Sequence, residues 1–506
     1  MTLWSSQHAR AVPRRRGTAL LGAAMALLIP LSLVSPVSAL AQDASPHDAA
    51  SAEVVVQLAP GTELDDVISD AATHSAPEVK SISGPAFEGA LVEADQVDAA
   101  TLAADARVLG VEPNQVLSVH ATSAQSSGKA RSWGLDRLDQ RNLPLDGRFT
   151  PVAASADVHV YILDSGVDLD HPEFADRVGR STVVSSAGQT PNDCDGHGTH
   201  VAGTAASNSH GVARNAVVHS VRVLNCDGTG TLAGIIEGLN WVAANAQSRS
   251  IVNLSLGGRE SAALNAAATN LTKSGIAIVA ASGNSSKDAC SFSPANNDSV
   301  LTVGAATRKD EEAHFSNFGS CVDLYAPGVQ ITSLANNQPG KSVQMTGTSM
   351  AAPHASGALA ALWGTAPNLT AAQARDLLLA TATRGAMQYP WGRMDSPNRN
   401  LHLSEFSVSS ASQAGILAKV HRVKKLRANR KGERLVATWK KPKNAASAPV
   451  TYRVQLLDKK KERKSRWYNT KKTKKVFKGK DRSRYQIRVK ARVDGVTSKA
   501  RTDSVR

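Results

Sequence analysis

The centre of this chain predicts an α/β domain with a mostly parallel sheet flanked by helices, and three observations carry that expectation. Runs such as Val158-His159-Val160-Tyr161-Ile162-Leu163 are β-branched and apolar on both faces, as strands buried on both sides must be. Ala-rich stretches of helical length separate these runs, and strands alternating with helices build parallel sheets. At 506 residues, 42% apolar and 20% charged, the chain can bury more than one core, and its composition excludes wholesale disorder.

Taken in order, residues 1–41 carry an export address. Arg10, Arg14, Arg15 and Arg16 precede a short apolar stretch at 20–34, and Ala39-Leu40-Ala41 offers small residues where a signal peptidase reads. A membrane anchor is the alternative, but the stretch falls short of the ~20 residues a span needs, and Pro30 and Pro36 interrupt it. The expectation is a secreted, soluble protein.

Residues 42–122 predict a small α+β unit. Val-rich 52–58 reads as a strand, 62–73 as a capped helix, 87–92 as a strand, 99–105 as a helix and 108–116 as a last strand. The Ser-, Ala- and Gly-rich stretch 121–132 reads as an exposed, cleavable linker. The α/β domain occupies 123–404, with further strand-like runs at 217–224, 251–256, 276–280 and 300–303. A polar linker at 405–416 leads to 417–506, where 435–439, 451–456 and 485–489 read as strands of a small all-β, sandwich-like domain.

The net charge of +15 hides an asymmetry. Residues 417–506 hold 32 Lys and Arg against 6 Asp and Glu, so everything before them is net acidic. A nucleic-acid reading therefore belongs to that tail alone, and its aromatics sit in no recognisable RNA- or DNA-binding motif. Export also places Cys194, Cys226, Cys290 and Cys321 where disulfides persist. Four cysteines allow three pairings, and the residues alone leave all three open. No C-x-x-C or close Cys/His spacing supports zinc.

Three motifs carry chemistry. Asp164-Ser165-Gly166 ends an apolar strand, while Gly196-His197-Gly198-Thr199-His200 and Gly347-Thr348-Ser349-Met350-Ala351 each open an Ala-rich helix. Singly they are a turn Asp, a loop His and an N-cap Ser. Together they supply what acyl transfer needs: a hydroxyl, an imidazole to remove its proton, and a carboxylate to orient and stabilise that imidazole. Asn284, after the run 276–280, is a candidate amide donor to a developing oxyanion.

These motifs, in the order Asp, His, Ser, resemble the subtilase family, and within it the branch of proteinase K and aqualysin. Trp133-Gly134-Leu135-Asp136-Arg137, Ser255-Leu256-Gly257-Gly258, Ser316-Asn317-Phe318-Gly319 and Ala326-Pro327-Gly328 extend the likeness. The resemblance implies a subtilisin-like serine endopeptidase with Asp164, His197 and Ser349 as triad, and Asn284 with the Ser349 N–H as oxyanion hole. It implies a first specificity pocket lined by Ser255, Leu256, Gly257, Ala281 and Gly283, roomy enough for a large apolar or aromatic side chain. Gly228 and Gly230 would offer a strand edge to the peptide backbone. It further implies the pairs Cys194–Cys226 and Cys290–Cys321, and a structural Ca2+ held by the carbonyls of Asp298 and Val300 and the carboxylate of Asp323.

The N-terminal unit resembles the ferredoxin-like subtilase propeptide, an inhibitor and folding aid, which implies an autoprocessed zymogen. The tail resembles a fibronectin type III module through Trp439-Lys440-Lys441-Pro442, Tyr452-Arg453-Val454 and Tyr485-Gln486-Ile487-Arg488-Val489. Its cations exceed what solubility requires. They suggest retention of a monomeric enzyme at the cell surface, on an anionic envelope polymer or nucleic acid. A dead protease scaffold serving adhesion would have lost a triad member or Asn284, and none is lost.

Overall fold

In a computed structural model the described residues run from 53 to 504, with gaps at 74–76, 120, 126–131, 152–156, 394 and 404–423, and short ones within the tail at 432–433, 441–449, 459–462, 465–467, 479–484, 494–495 and 498–500. The export address and the second linker lie outside the described residues.

The expected sheet is present. Nine strands lie in the order Thr383–Arg384, Arg399–Asn400, Leu324–Pro327, Leu301–Ala306, Ala277–Ala281, Ser250–Leu254, His159–Asp164, Val217–Arg222 and Thr182–Val183. Every adjacent pair is parallel except the first. Helices cover both faces, which is why the central strands are buried along their whole length except at His159, where one begins. Against one face pack His197–Ala206 and Thr348–Thr365, sharing a core with Val160, Ile162, Val279 and Val303. Against the other pack Leu232–Asn245 and Ala262–Lys273, with Leu163, Val221, Val252 and Ile278.

The N-terminal unit forms a four-stranded antiparallel sheet in the order Val79–Ser81, Gly89–Glu93, Glu53–Leu58 and Val108–Pro113. Its helices Leu64–Ala71 and Ala99–Ala104 pack Val67, Ile68 and Leu102 against Val56 and Val92. The first helix starts at Leu64 without the expected side-chain cap, since Glu63 makes no capping hydrogen bond. The second is capped by Asp98, which accepts from Ala100 N at 3.0 Å. The opposite sheet face places Val55, Phe87 and Leu91 in the core beneath Leu232–Asn245. Asn240 Oδ1 accepts from both Ala86 and Phe87 N at 2.9 Å, and Glu112 Oε1 accepts from Ser261 Oγ and Ala263 N at 2.8 Å. A carboxylate at that helix N-terminus meets N–H groups the helix leaves unpaired.

Two expectations at the end of this unit need correction. The single strand 108–116 is two. Pro113 has no N–H to continue the ladder, and Val116–Ser118 leaves its own sheet to pair antiparallel with Thr229–Thr231. The cleavable linker is not wholly loose either, because Thr122–Gln125 pairs with Ser342–Thr346.

The tail folds as two antiparallel sheets. Lys424–Lys431, Arg434–Lys440 and Lys474–Lys478 make one; Val450–Asp458 and Tyr485–Val493 centre the other. Leu435, Trp439, Tyr452, Phe477, Ile487 and Val489 fill the space between. Strict alternation along Arg434–Lys440 buries Leu435, Ala437 and Trp439 and turns Arg434, Thr438 and Lys440 to solvent. The charge is thus compatible with folding because the period of two keeps it off the core.

Candidate active site

The candidate residues meet at the carboxyl ends of the parallel strands, where α/β sheets hold their sites. Asp164 ends the strand His159–Asp164 with no solvent exposure. His197 is the first residue of its helix, and a close approach brings it to the Asp: a methyl group at Gly198 would lie 1.9 Å from the Gly166 carbonyl oxygen. Only glycine allows the helix start to sit so near that strand end. His197 Nδ1 and Asp164 Oδ1 are 2.7 Å apart, and both side chains are buried.

Burial alone would depress the His197 pKa. The charge and hydrogen bond of Asp164, with help from Asp195 and Asp193, outweigh it, so the imidazole lies above its ordinary value. Asp195, held up chiefly by its own burial, sits above the usual carboxylate range.

Asp193 is a residue that sequence reasoning missed. Its Oδ1 accepts from Ser165 Oγ at 2.9 Å and Gly196 N at 2.9 Å, and its Oδ2 accepts from Thr199 N at 2.8 Å. One buried carboxylate therefore ties the loop after Asp164 to the helix that starts at His197. The available signal was an acidic residue a few positions before a helix, a common and unspecific one.

Ser349 lies in the first turn of Thr348–Thr365, 2% exposed, with its backbone N–H at the positive end of the helix. Its Oγ donates to the Ser255 carbonyl at 3.0 Å, and Ser255 Oγ donates back to the Ser349 carbonyl at 2.8 Å. His197 Nε2 has no hydrogen-bond partner among the described residues. The Ser–His hydrogen bond is therefore not formed here, where the Ser349 hydroxyl is turned to Ser255 instead. Asn284 follows Ala277–Ala281. Its Oδ1 accepts from Thr348 N at 2.9 Å and Thr348 Oγ1 at 2.7 Å. Those donors fix the amide's orientation and leave Nδ2 as its donor end, one residue from Ser349.

Ser255, Leu256 and Gly257 follow the strand Ser250–Leu254, and Ala281 ends its neighbour with Gly283 just beyond, so the expected pocket residues lie at the carboxyl ends of two adjacent strands. The expected strand edge at Gly228 and Gly230 is occupied by the chain itself. Gly230 pairs with Leu117, Val119 N donates to Gly228 O at 3.1 Å, and Ser118 bridges to Gly257. Both disulfides join as the resemblance implied. Cys194–Cys226 links the loop before His197 to the loop before Gly228, and Cys290–Cys321 closes the segment beyond Asn284.

The implied calcium ligands do not fit a divalent ion. The Asp298 carbonyl and the Asp323 carboxylate do approach one another, with Val300 two residues along, but Arg375 lies between them and donates to both. No group of three or more His, Cys, Asp or Glu side chains among the described residues could hold a metal ion.

Comparison with known proteins bears on the family and the fold. The model of the subtilase family matches residues 155–403. An extracellular serine proteinase of Thermus sp. (strain Rt41A) is 42% identical over 324 residues, 64% of this chain and 77% of that one. Alkaline serine exoprotease A of Vibrio alginolyticus is 39% identical over 309 residues, 61% of this chain and 58% of that one. A solved structure of a cold-adapted subtilisin-like serine proteinase superposes with a TM-score of 0.52 at 42% identity, covering 54% of this chain and 98% of that one. The fold and site define a serine proteinase of the subtilisin-like α/β class. This chain belongs to the subtilase family. No helix among the described residues is long and apolar enough to cross a membrane.

Proposed function

We propose that the chain is a secreted serine endopeptidase of the proteinase K-like branch, made as a precursor that cuts itself. His197, held by Asp164, takes the Ser349 proton as Oγ bonds to the scissile carbonyl carbon. Asn284 Nδ2 and the Ser349 N–H stabilise the oxyanion. The tetrahedral adduct collapses as His197 returns the proton to the leaving amine, and water then hydrolyses the acyl-enzyme by the same steps. The small residues Ser255, Gly257, Ala281 and Gly283 leave room for a large apolar or aromatic side chain beside the cleaved bond.

The observation that carries this reading is the chain's own path across the site. Residues 116–119 lie on the edge formed by Thr229–Thr231, and 122–125 lie on Ser342–Thr346, the strand just before Ser349. Ser118 is opposite Gly257 and Thr122 is opposite Thr346. Midway between these anchors falls residue 120, so we assign the scissile bond to His120–Ala121, two bonds away from the domain boundary expected at 122/123. The folded N-terminal unit then inhibits by keeping its last strand in the peptide-binding edge. Edman sequencing of the secreted enzyme is expected to start at Ala121. A mature N-terminus at any other residue would reject the assignment.

The tail reading rests on the outer face of its three-stranded sheet. Arg427, Arg434, Lys440, Lys474 and Lys478 are exposed there, with Arg434 opposite Lys478 and Thr438 opposite both Arg427 and Lys474. A face with that charge suits an anionic polymer. Deleting 417–506 is expected to spare hydrolysis of a small peptide and to abolish retention on a polyanionic matrix at low salt. Binding of the full chain should weaken steeply as salt rises. Equal retention of both forms would remove the tail from that role.

A further inference from the structure

The site expected to hold Ca2+ is instead built around a cation that belongs to the chain. Arg375, on the helix Ala371–Thr381, donates from Nη1 to the Asp298 carbonyl at 2.9 Å and from Nη2 to Asp323 Oδ2 at 3.1 Å. That carboxylate oxygen also accepts from Thr302 N at 3.2 Å, and the Asp323 carbonyl accepts from Arg399 Nη1 at 3.3 Å. The Asp298 carboxylate is paired with Arg453 and, at 3.5 Å, with Lys490, both from the tail. Three cationic side chains thus contact the two carboxylates, and a fourth, Arg399, holds the Asp323 carbonyl.

We propose that the guanidinium of Arg375 permanently replaces a structural calcium ion at Asp298, Val300 and Asp323, which makes this corner of the domain independent of the metal. Calcium needs six to eight oxygens at about 2.3–2.6 Å, all presenting lone pairs to one centre. Here two of the implied ligands, the Asp298 carbonyl and Asp323 Oδ2, already accept N–H groups of Arg375, so an ion bridging them would meet a guanidinium at contact distance. Arg keeps its charge at every pH at which the protein folds, and its planar fork reaches two acceptors at once. The mechanical result is that of a bound ion. The loop 294–300, the residue before the strand Leu324–Pro327, and the helix Ala371–Thr381 are tied at one point. The tie needs no exchangeable partner, and the tail closes the loop's outer side through Arg453 and Lys490.

The test is calorimetry on the full mature enzyme, silenced with a covalent serine-directed inhibitor so that self-digestion cannot mimic unfolding. The melting temperature should be the same in excess chelator and in millimolar calcium. Arg375→Ala removes the built-in cation and keeps the oxygens. It should melt several degrees lower and regain part of the loss when calcium is added. Should that variant fail to fold, Asp323→Asn and the parent decide the matter. A calcium-dependent rise in the parent that Asp323→Asn abolishes would overturn the proposal. A parent crystal grown in calcium with an ion ligated by Asp323 would also refute it.

Discussion

Ser349→Ala is expected to lower kcat for peptide hydrolysis by about 10⁶, the order seen when one member of a Ser–His–Asp unit is removed. The same variant should accumulate as an uncut precursor, because the strand Val116–Ser118 stays covalently joined to Thr122–Gln125 across the site. Asn284→Ala should cost less, about 10²–10³ in kcat, since it deletes one of two oxyanion donors and leaves the nucleophile in place. Acid should act through His197, which must be neutral to accept a proton. Its pKa is raised, so the acid limb of kcat/KM should lie above the pH of an ordinary imidazole. A Ser349→Ala precursor that processes itself in a host without other proteases would sink the triad assignment, and an optimum near pH 4 would sink the role of His197.

Much of this was legible because the sequence writes it locally. A parallel strand buried on both faces must be apolar throughout, so His159–Asp164 and Ile251 to Leu254 announce themselves, and chemistry follows at their carboxyl ends. The helices beginning at His197 and Thr348 are visible for the same reason. What was hidden depends on partners distant in sequence. The expected strand 108–116 stops at Pro113, a break the sequence does show, but that Val116–Ser118 pairs with the edge at Thr229–Thr231, more than a hundred residues on, depends on the fold. Asp193 is one acidic loop residue among several until its four contacts are seen. Arg375 looks like a solvated charge on the amphipathic helix Ala371–Thr381, and only the fold brings it to Asp298 and Asp323.

Acid should also destabilise the fold, through histidines other than His197. His200 and His354 have no solvent exposure, and burial pushes their pKa values down to about 3 and about 4. Each has one ring nitrogen hydrogen-bonded to a carbonyl, His200 Nε2 to Ile331 O at 2.9 Å and His354 Nδ1 to Met350 O at 2.8 Å. A second proton on either ring would be a buried charge, and desolvation is the largest cause of both depressions. Unfolded, both rings protonate near pH 6.5. Between that pH and about 4 the unfolded chain binds two protons that the native state refuses. Stability from these groups is therefore complete above pH 6.5 and falls as pH drops, by roughly 1.4 kcal/mol per pH unit for each ring. His197 has the opposite sign, since its raised pKa adds stability as pH falls towards 6.5 and nothing further below it. Asp195 and buried Glu312, both held above the usual carboxylate range chiefly by desolvation, oppose part of this loss. From pH 6.5 to 5 the two rings should remove about 3 kcal/mol in total, a large share of an ordinary marginal stability. Urea midpoints of inhibitor-blocked enzyme should fall steeply across that interval, and less steeply in His354→Gln. A midpoint constant or rising from pH 6.5 to 5 would show that these rings take up protons in the native state.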